Sequence, residues 1–425
     1  MNLNVEHLGQ VFTPQHVVVD MLALVKNNGR FLEPSCGNGA FFTHLPQHKV
    51  GIEIDRNVLT DSMIARNTEN ALHTDYDAQA IMKNTAESKK HISTHDPILL
   101  NTDFFAYPLR EKFDTIIGNP PYVRYQDIAK STKLLLKAYS PIFDSRSNLY
   151  LFFIYKCILH LKDGGELIFI TPRDFLKSTA SVRLNEFLFA QGSITDFLDL
   201  GDKKIFDNAQ PNCAIWRFEK GNFSRNTNCL RQFSCINGQL IFTKNSYTIP
   251  FSSLFFVKVG AVSGADSIYT HEEHGNVEFV YSATAKSGKT RKMLYGISAK
   301  DSAYLQQHKT QLLRRKIKKF SESNWWEWGR DYYKSDLPRI YVNTKTRNKK
   351  PFFLHPCKAY DGSILAIFPK FEVDFQGLKE LCEKLNNVDW QELGFICDGR
   401  YLFSQRSLES CVLDSGFGEY KKLQM

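Results

Sequence analysis

The sequence predicts an α/β fold built on an open, mostly parallel sheet with helices on both faces. Three observations carry that expectation. Short apolar runs alternate with helix-length segments between residues 30 and 220 of the 425. A glycine-rich turn follows the first run, and polar residues suited to ligand binding stand where successive runs end.

In chain order, "GRFLEPSCGNGAF" reads as a strand entering a glycine-rich turn, and "KVGIEID" as a strand ending on an acid. "FDTIIGNPP", "GGELIFITP", "ITDFLDLG" and "NCAIWRFEK" supply further strands, while "NTDFF" marks another strand tip. Leu149–Leu161 and Val182–Phe189 have the length and apolar spacing of helices. Such sheets bind ligands at the carboxyl ends of their strands. Around 220–250 the pattern breaks into Asn- and Ser-rich sequence, which places a domain boundary near 245 and gives domains 1–245 and 246–425. The second part shows no regular alternation and no internal repeat.

Charged and apolar fractions are those of a folded protein. The longest apolar run, Leu149–Leu161, is broken by Lys156 and is too short to span a bilayer. The first residues, "MNLNVEHLGQ", lack the features of a secretion signal. Nine cysteines without a CxxC pair suggest reduced thiols, hence a bacterial cytoplasmic location. His91 and His95 could share a helix face, but they read as surface histidines, and no metal is expected. Charge is concentrated: residues 281–350 hold 18 Lys or Arg against 5 Asp or Glu, although the whole chain is only +9. Interleaved with Trp325, Trp326, Trp328, Tyr332 and Tyr333, this segment suits a polyanion, with cations on phosphates and rings stacking or packing. The alternative is a solvated face above core aromatics. Gly288-Lys289-Thr290 imitates the end of a phosphate loop, but Ala283 replaces its first glycine, so it reads as a surface loop.

In "LEPSCGNGAF", Gly37 and Gly39 let the backbone approach a ligand. Glu53, at the next strand tip, is placed to accept both hydroxyl protons of a ribose. The third glycine of a dinucleotide site is missing and an acid, Glu33, precedes the turn. That favours a cationic nucleoside, S-adenosylmethionine, over NAD or ATP. Asp103 could accept from an adenine amino group and Phe104 could cover the ring; alone they would read as a helix cap and a core residue. "NPPY" follows the strand that ends at Gly118. An exocyclic amino group on a base is a poor nucleophile because its lone pair is delocalised. Acceptors facing both its protons, the Asn119 side-chain oxygen and the Pro120 carbonyl, would localise that pair, and Tyr122 offers a stacking face. No metal or general base is required.

Taken together and in order, "GQVFTP", "EPSCGNGAF", "GIEID", "NTDFF" and "NPPY" resemble the gamma-class, TaqI-like adenine-N6 DNA methyltransferases of restriction–modification systems, in detail over about 8–220. "VKVGAVSGAD" and "GRYLFSQRSL" resemble more loosely that family's target-recognition domain. The resemblance implies a Rossmann-like catalytic domain followed by a mixed α+β DNA-recognition domain. It implies that Thr13 and Glu33 face the methionine part of S-adenosylmethionine, Glu53 the ribose, and Ile54, Phe104 and Phe153 the adenine, with Asp103 on its amino group. Ser35, Gly37, Gly39 and Pro121 complete that set. Asn119, Pro120 and Tyr122 would act on the target adenine, with Phe206 as a second ring. Duplex DNA hides that amino group, so the base must be flipped out. The expected partner is double-stranded DNA, with a restriction endonuclease as a functional but not physical partner, and the chain is expected to be a monomer that methylates without cleaving. The alternatives are transfer to cytosine N4, an RNA guanine or a protein glutamine, or a DNA-binding specificity protein without activity.

Overall fold

The computed structural model describes residues 9, 11–59, 97–144, 147–201, 205–206, 212–228, 231–244, 246–298, 301–316, 320–397 and 399–424. His91 and His95 lie outside them. The chain divides into two compact units, Met1–Lys244 and Asn245–Met425.

The first unit is organised by seven strands: β1 (Phe31–Glu33), β2 (Lys49–Glu53), β3 (Ile98–Asn101), β4 (Phe113–Gly118), β5 (Leu161–Pro172), β6 (Gly192–Asp199) and β7 (Cys213–Lys220). Their order in the sheet is β3-β2-β1-β4-β5-β7-β6. The first five are parallel, and β7 runs antiparallel to both its neighbours. Period-two alternation makes the sheet two-sided. Leu32, Ile116, Leu167, Phe169, Trp216 and Phe218 join one apolar cluster with helices Leu149–His160 and Val182–Gln191. Phe31, Ile117, Ile168, Ile170 and Ile215 join the other, with Val17, Val18 and Met21 of helix Gln15–Leu22. Each such side chain contributes about 1.5–3 kcal/mol by leaving water. Strand order reverses between β1 and β4, the switch point at which open α/β sheets leave a crevice.

A buried ion pair ties β5 to β7. Glu166 and Arg217 meet at 2.6 Å and are almost fully buried. The same carboxylate accepts from the backbone N–H of Lys26 and Asn27 and from the Thr115 hydroxyl. Glu166→Ala would remove the shortest ion pair of the buried guanidinium, which keeps Glu219 and Thr195, and leave three further donors without their acceptor. We expect it to cost about 3–5 kcal/mol, read as a lower urea midpoint at unchanged slope.

Regular strands lie within the polar stretch that precedes the boundary expected near 245. Arg231–Ile236 and Gln239–Lys244 form an antiparallel hairpin closed by Asn237-Gly238, both with positive φ. It lays Phe233, Leu240 and Phe242 onto the first core. An Asn-Gly pair between two runs is a strong hairpin signal, here hidden by flanking polar residues.

The second unit is α+β. Its centre is a four-stranded antiparallel sheet of Phe255–Val259, Ile364–Pro369, Ile340–Asn343 and Phe352–Phe353, in that order. Helix Phe375–Asn386 packs Leu378, Leu381, Cys382 and Leu385 into the core beside it. The rings of the aromatic segment are mostly packed, and to different depths. Trp325 is buried, Trp326, Trp328 and Tyr332 pack on an apolar cluster, and only Tyr333 is as much as 40 % exposed. Gly288 is the left-handed residue that ends the short helix Thr284–Ser287, so the phosphate-loop look-alike lies at a helix C-terminus. Among the described residues no helix is long and apolar enough to cross a membrane.

Candidate active site

A cleft with about 830 Å³ of atom-free space, partly open to solvent, lies at the carboxyl ends of β1, β2, β3 and β4. Of the residues expected to bind a cofactor, Ser35, Gly37, Glu53, Ile54, Asp103, Phe104, Pro121 and Phe153 line it, and so does Asn119. Gly37 and Gly39 both take positive φ, which the turn after β1 requires. The Gly37 N–H donates to Glu53 Oε2 at 2.7 Å and the Asp55 N–H to Oε1 at 2.9 Å. The carboxylate is therefore fixed at the strand tip with lone pairs to spare. Burial raises its pKa.

Asp103 does two things. Its Oδ1 caps the short helix Phe104–Ala106 through the Phe105 N–H at 2.8 Å, the reading it would have alone. Its Oδ2 accepts from the Thr132 hydroxyl at 2.5 Å, while the residue still lines the cleft. The rings of Phe104 and Phe153 stack with centroids 4.9 Å apart. Ile54 is 46 % exposed, an apolar side chain left in water on the cleft wall, as suits a cover for a planar ring.

Glu33 departs from expectation. It is 1 % exposed and does not line the cleft. Burial pushes its carboxyl well above the usual range, and the charge of Glu53 adds to this. Glu33 is thus set back from the cleft, and its burial disfavours the charged form on which the sequence argument relied. Its Oε2 is buried without a hydrogen-bond partner.

Asn119 is the centre of the site. Ser35 Oγ donates to its backbone carbonyl at 3.1 Å, tying the end of β4 to the turn after β1. Its side-chain Nδ2 donates to the Val11 carbonyl at 3.3 Å and to Thr13 Oγ1 at 3.2 Å. Its Oδ1 is buried and has no partner. An orphaned buried acceptor costs about 1–3 kcal/mol, so it calls for an explanation. Pro120 is buried behind it. Tyr122 is half-buried, and its hydroxyl donates to the Ile170 carbonyl at 2.8 Å, which immobilises the ring. Phe206 lies beside it, centroids 6.3 Å apart and 66° between planes, but is 2 % exposed within an apolar cluster. Thr13 meets Asn119, and Gly39 caps the turn by donating to the Cys36 carbonyl.

Sequence reasoning missed several contributors. Val11, Phe12 and Thr102, inside the "GQVFTP" and "NTDFF" stretches but given no role there, line the cleft, as do Ile128, Ala129 and Thr132, which no motif announces. Lys156 did leave a signal, as a lone charge inside an apolar helix. It is 1 % exposed and donates to the carbonyls of Phe104 and Tyr107 at 2.6 and 2.7 Å, pinning the turn that carries Phe104. Burial lowers its pKa to about 8. Among the described residues no group of His, Cys, Asp and Glu could hold a metal.

Residues 47–206 match the model of the Eco57I restriction-modification methylase family. The chain is 32% identical over 228 residues to the type II methyltransferase M.HincII of Haemophilus influenzae, covering 52% of this chain and 39% of that protein. It is 28% identical over 229 residues to the type II methyltransferase M.TthHB8I of Thermus thermophilus, covering 50% and 45%. The chain thus spans about two-fifths of the length of these relatives. Among solved structures, the type IIL restriction-modification enzyme MmeI in complex with DNA shares the fold. It has a TM-score of 0.53 at 14% identity, covering 94% of this chain and 64% of that one.

Proposed function

Because residues 47–206 match the Eco57I restriction-modification methylase family, we propose that this chain transfers a methyl group from S-adenosylmethionine to the N6 amino group of an adenine flipped out of duplex DNA. The observation that carries the reading is the Asn119 amide: the residue lines the cleft, its nitrogen is committed, and its oxygen is buried without a partner. The cofactor, when bound, supplies an electrophilic methyl group. Glu53 would hold its ribose, and Ile54, Phe104 and Phe153 would enclose its adenine with Asp103 on the ring's edge. All five residues line the cleft.

The chain's own part in the reaction is positioning. Asn119 Oδ1 and the Pro120 carbonyl would each accept one proton of the target amino group, favouring a tetrahedral nitrogen with a localised lone pair. Tyr122, its hydroxyl anchored on β5, would stack on the base, with Phe206 supporting the Tyr122 ring edge-on. A base inside a duplex cannot reach such a wall, so it must be extruded. The unit after residue 244 would grip the duplex and read its sequence, and the biological role would be protection of DNA beside a partner endonuclease.

The test is transfer of isotope-labelled methyl from S-adenosylmethionine to genomic DNA free of such marks, followed by nucleoside mass spectrometry. N6-methyladenine is the expected product. N4-methylcytosine would overturn the choice of base, and labelled RNA or protein with unlabelled DNA would overturn the choice of substrate.

A further inference from the structure

We propose that Thr13 is a positioning residue for this reaction: with the Val11 carbonyl, which accepts only a donor, it forms a socket that holds the Asn119 nitrogen and so turns the Asn119 oxygen to the substrate. The inference rests on the reading of Asn119 as the acceptor for the target amino group.

The two ends of an amide are nearly identical in shape and opposite in function, since the nitrogen carries two protons and the oxygen none. A backbone carbonyl can only accept. With the Val11 carbonyl 3.3 Å from one end of the Asn119 amide, that end must be the nitrogen. Thr13 Oγ1, 3.2 Å from the same nitrogen, takes its second proton and can still donate its own. Turning the amide over would set its oxygen against the Val11 carbonyl oxygen and leave the Thr13 hydroxyl as the one donor facing it. It would also present N–H groups to an amino group that needs acceptors.

The socket is tied to the core. Pro14 restricts Thr13 to extended backbone, and the Pro14 carbonyl accepts from the N–H groups of Val17 and Val18. Both valines are buried in the cluster on the second face of the sheet. The "FTP" stretch therefore connects a rigid helix to the orientation of one catalytic side chain. This differs from the role the family resemblance assigns to Thr13, a cover over the methionine part of the cofactor, and the two roles separate experimentally.

Thr13→Val keeps the shape and deletes the acceptor. Steady-state transfer to duplex DNA at saturating cofactor should show kcat lowered about tenfold, the loss of one modest hydrogen bond. The Kd for S-adenosylmethionine, measured by calorimetry, should stay within about twofold, a shift of under half a kcal/mol. Thr13→Ser, which restores the hydroxyl, should recover most of kcat. Unchanged kcat in a folded Thr13→Val protein overturns the socket. So does a weakened cofactor Kd with kcat intact at saturation, or a serine variant no better than valine. Thermal melting confirms folding, with Thr13→Ala as the replacement if the valine does not fit. Asn119→Ala run alongside separates the two ideas. If it stays active, the reading of Asn119 falls; if it is dead while Thr13→Val is fully active, only the socket falls.

Discussion

Asn119→Ala should lower kcat for methyl transfer to duplex DNA by about 10²–10³-fold, while S-adenosylmethionine still binds. The magnitude is that of deleting one preorganised polar group aimed at a reacting centre. The resting protein should hardly notice the change. Alanine removes a buried acceptor that has no partner, which is a gain, and releases the Val11 carbonyl and Thr13 hydroxyl from the amide nitrogen, which is a loss. These terms are of similar size, so the stability difference should stay within about 1 kcal/mol. Cofactor binding should persist because Glu53, Asp103 and the Phe104–Phe153 stack are built on other strands and a helix. The measurements are single-turnover transfer, calorimetric titration with S-adenosylmethionine, and thermal melting on one preparation. Transfer within about tenfold of wild type would remove the catalytic assignment.

Such a variant separates an interaction made for the reaction from one made for the fold. Glu166, in the middle of β5, and Asn119, just past the end of β4, are both polar, yet they are opposites. Glu166 is saturated with partners, and its loss should destabilise the unit. Asn119 is left one partner short, and its loss should silence the chemistry.

The first unit was legible because its sheet is buried on both faces, so each strand is a short apolar run, and because its functional groups cluster at strand tips. "TIIGNPPY" announces both at once. The second unit was not legible from the same cues. Its strands are brief, such as Phe352–Phe353, and its core is aromatic. Trp325 and Trp328 therefore read equally well as a stacking surface or as a core; burial decides for the core at Trp325, while Trp328 is half-buried against it. Ile364–Pro369 is the exception, a wholly buried apolar run that marks a central strand. Tertiary contacts also hid the state of Glu33, since nothing local says that its carboxyl is covered.

Burial likewise sorts the cations of residues 281–350, and it points to one hairpin as the place where duplex DNA should be gripped. Arg291 is held by Asp266 and Asp361. Arg315 is buried on the carbonyls of Leu312, Ser263 and Trp325, and Arg339 is buried as well. Lys309 pairs with Glu322 and Lys334 with Asp331. Lys300, Lys318 and Lys319 lie outside the described residues. Of the exposed cations that remain, the densest set is Lys345, Arg347, Lys349 and Lys350, between the paired strands Ile340–Asn343 and Phe352–Phe353. None of the four has an acidic partner among the described residues. The loop is shaped in advance: the Asn348 N–H donates to Thr346 Oγ1 and the Lys350 N–H to Asn348 Oδ1. Lys345–Thr346 also pairs with Arg400–Leu402, which braces the root of the hairpin. Four solvated cations with no internal partner cost the fold nothing to neutralise, and each can displace a counterion from a phosphate. Changing all four to glutamine should therefore weaken duplex binding by about tenfold to a hundredfold at 0.15 M salt. It should also flatten the dependence of log K on log salt by about 3.6 units, close to 0.9 for each of the four phosphates no longer neutralised. Arg291→Gln is the contrast: it strips a partner from the buried Asp361 and should lower stability while leaving that slope unchanged. Fluorescence anisotropy at several salt concentrations reads both. A quadruple variant with the wild-type slope would place the duplex elsewhere on the molecule.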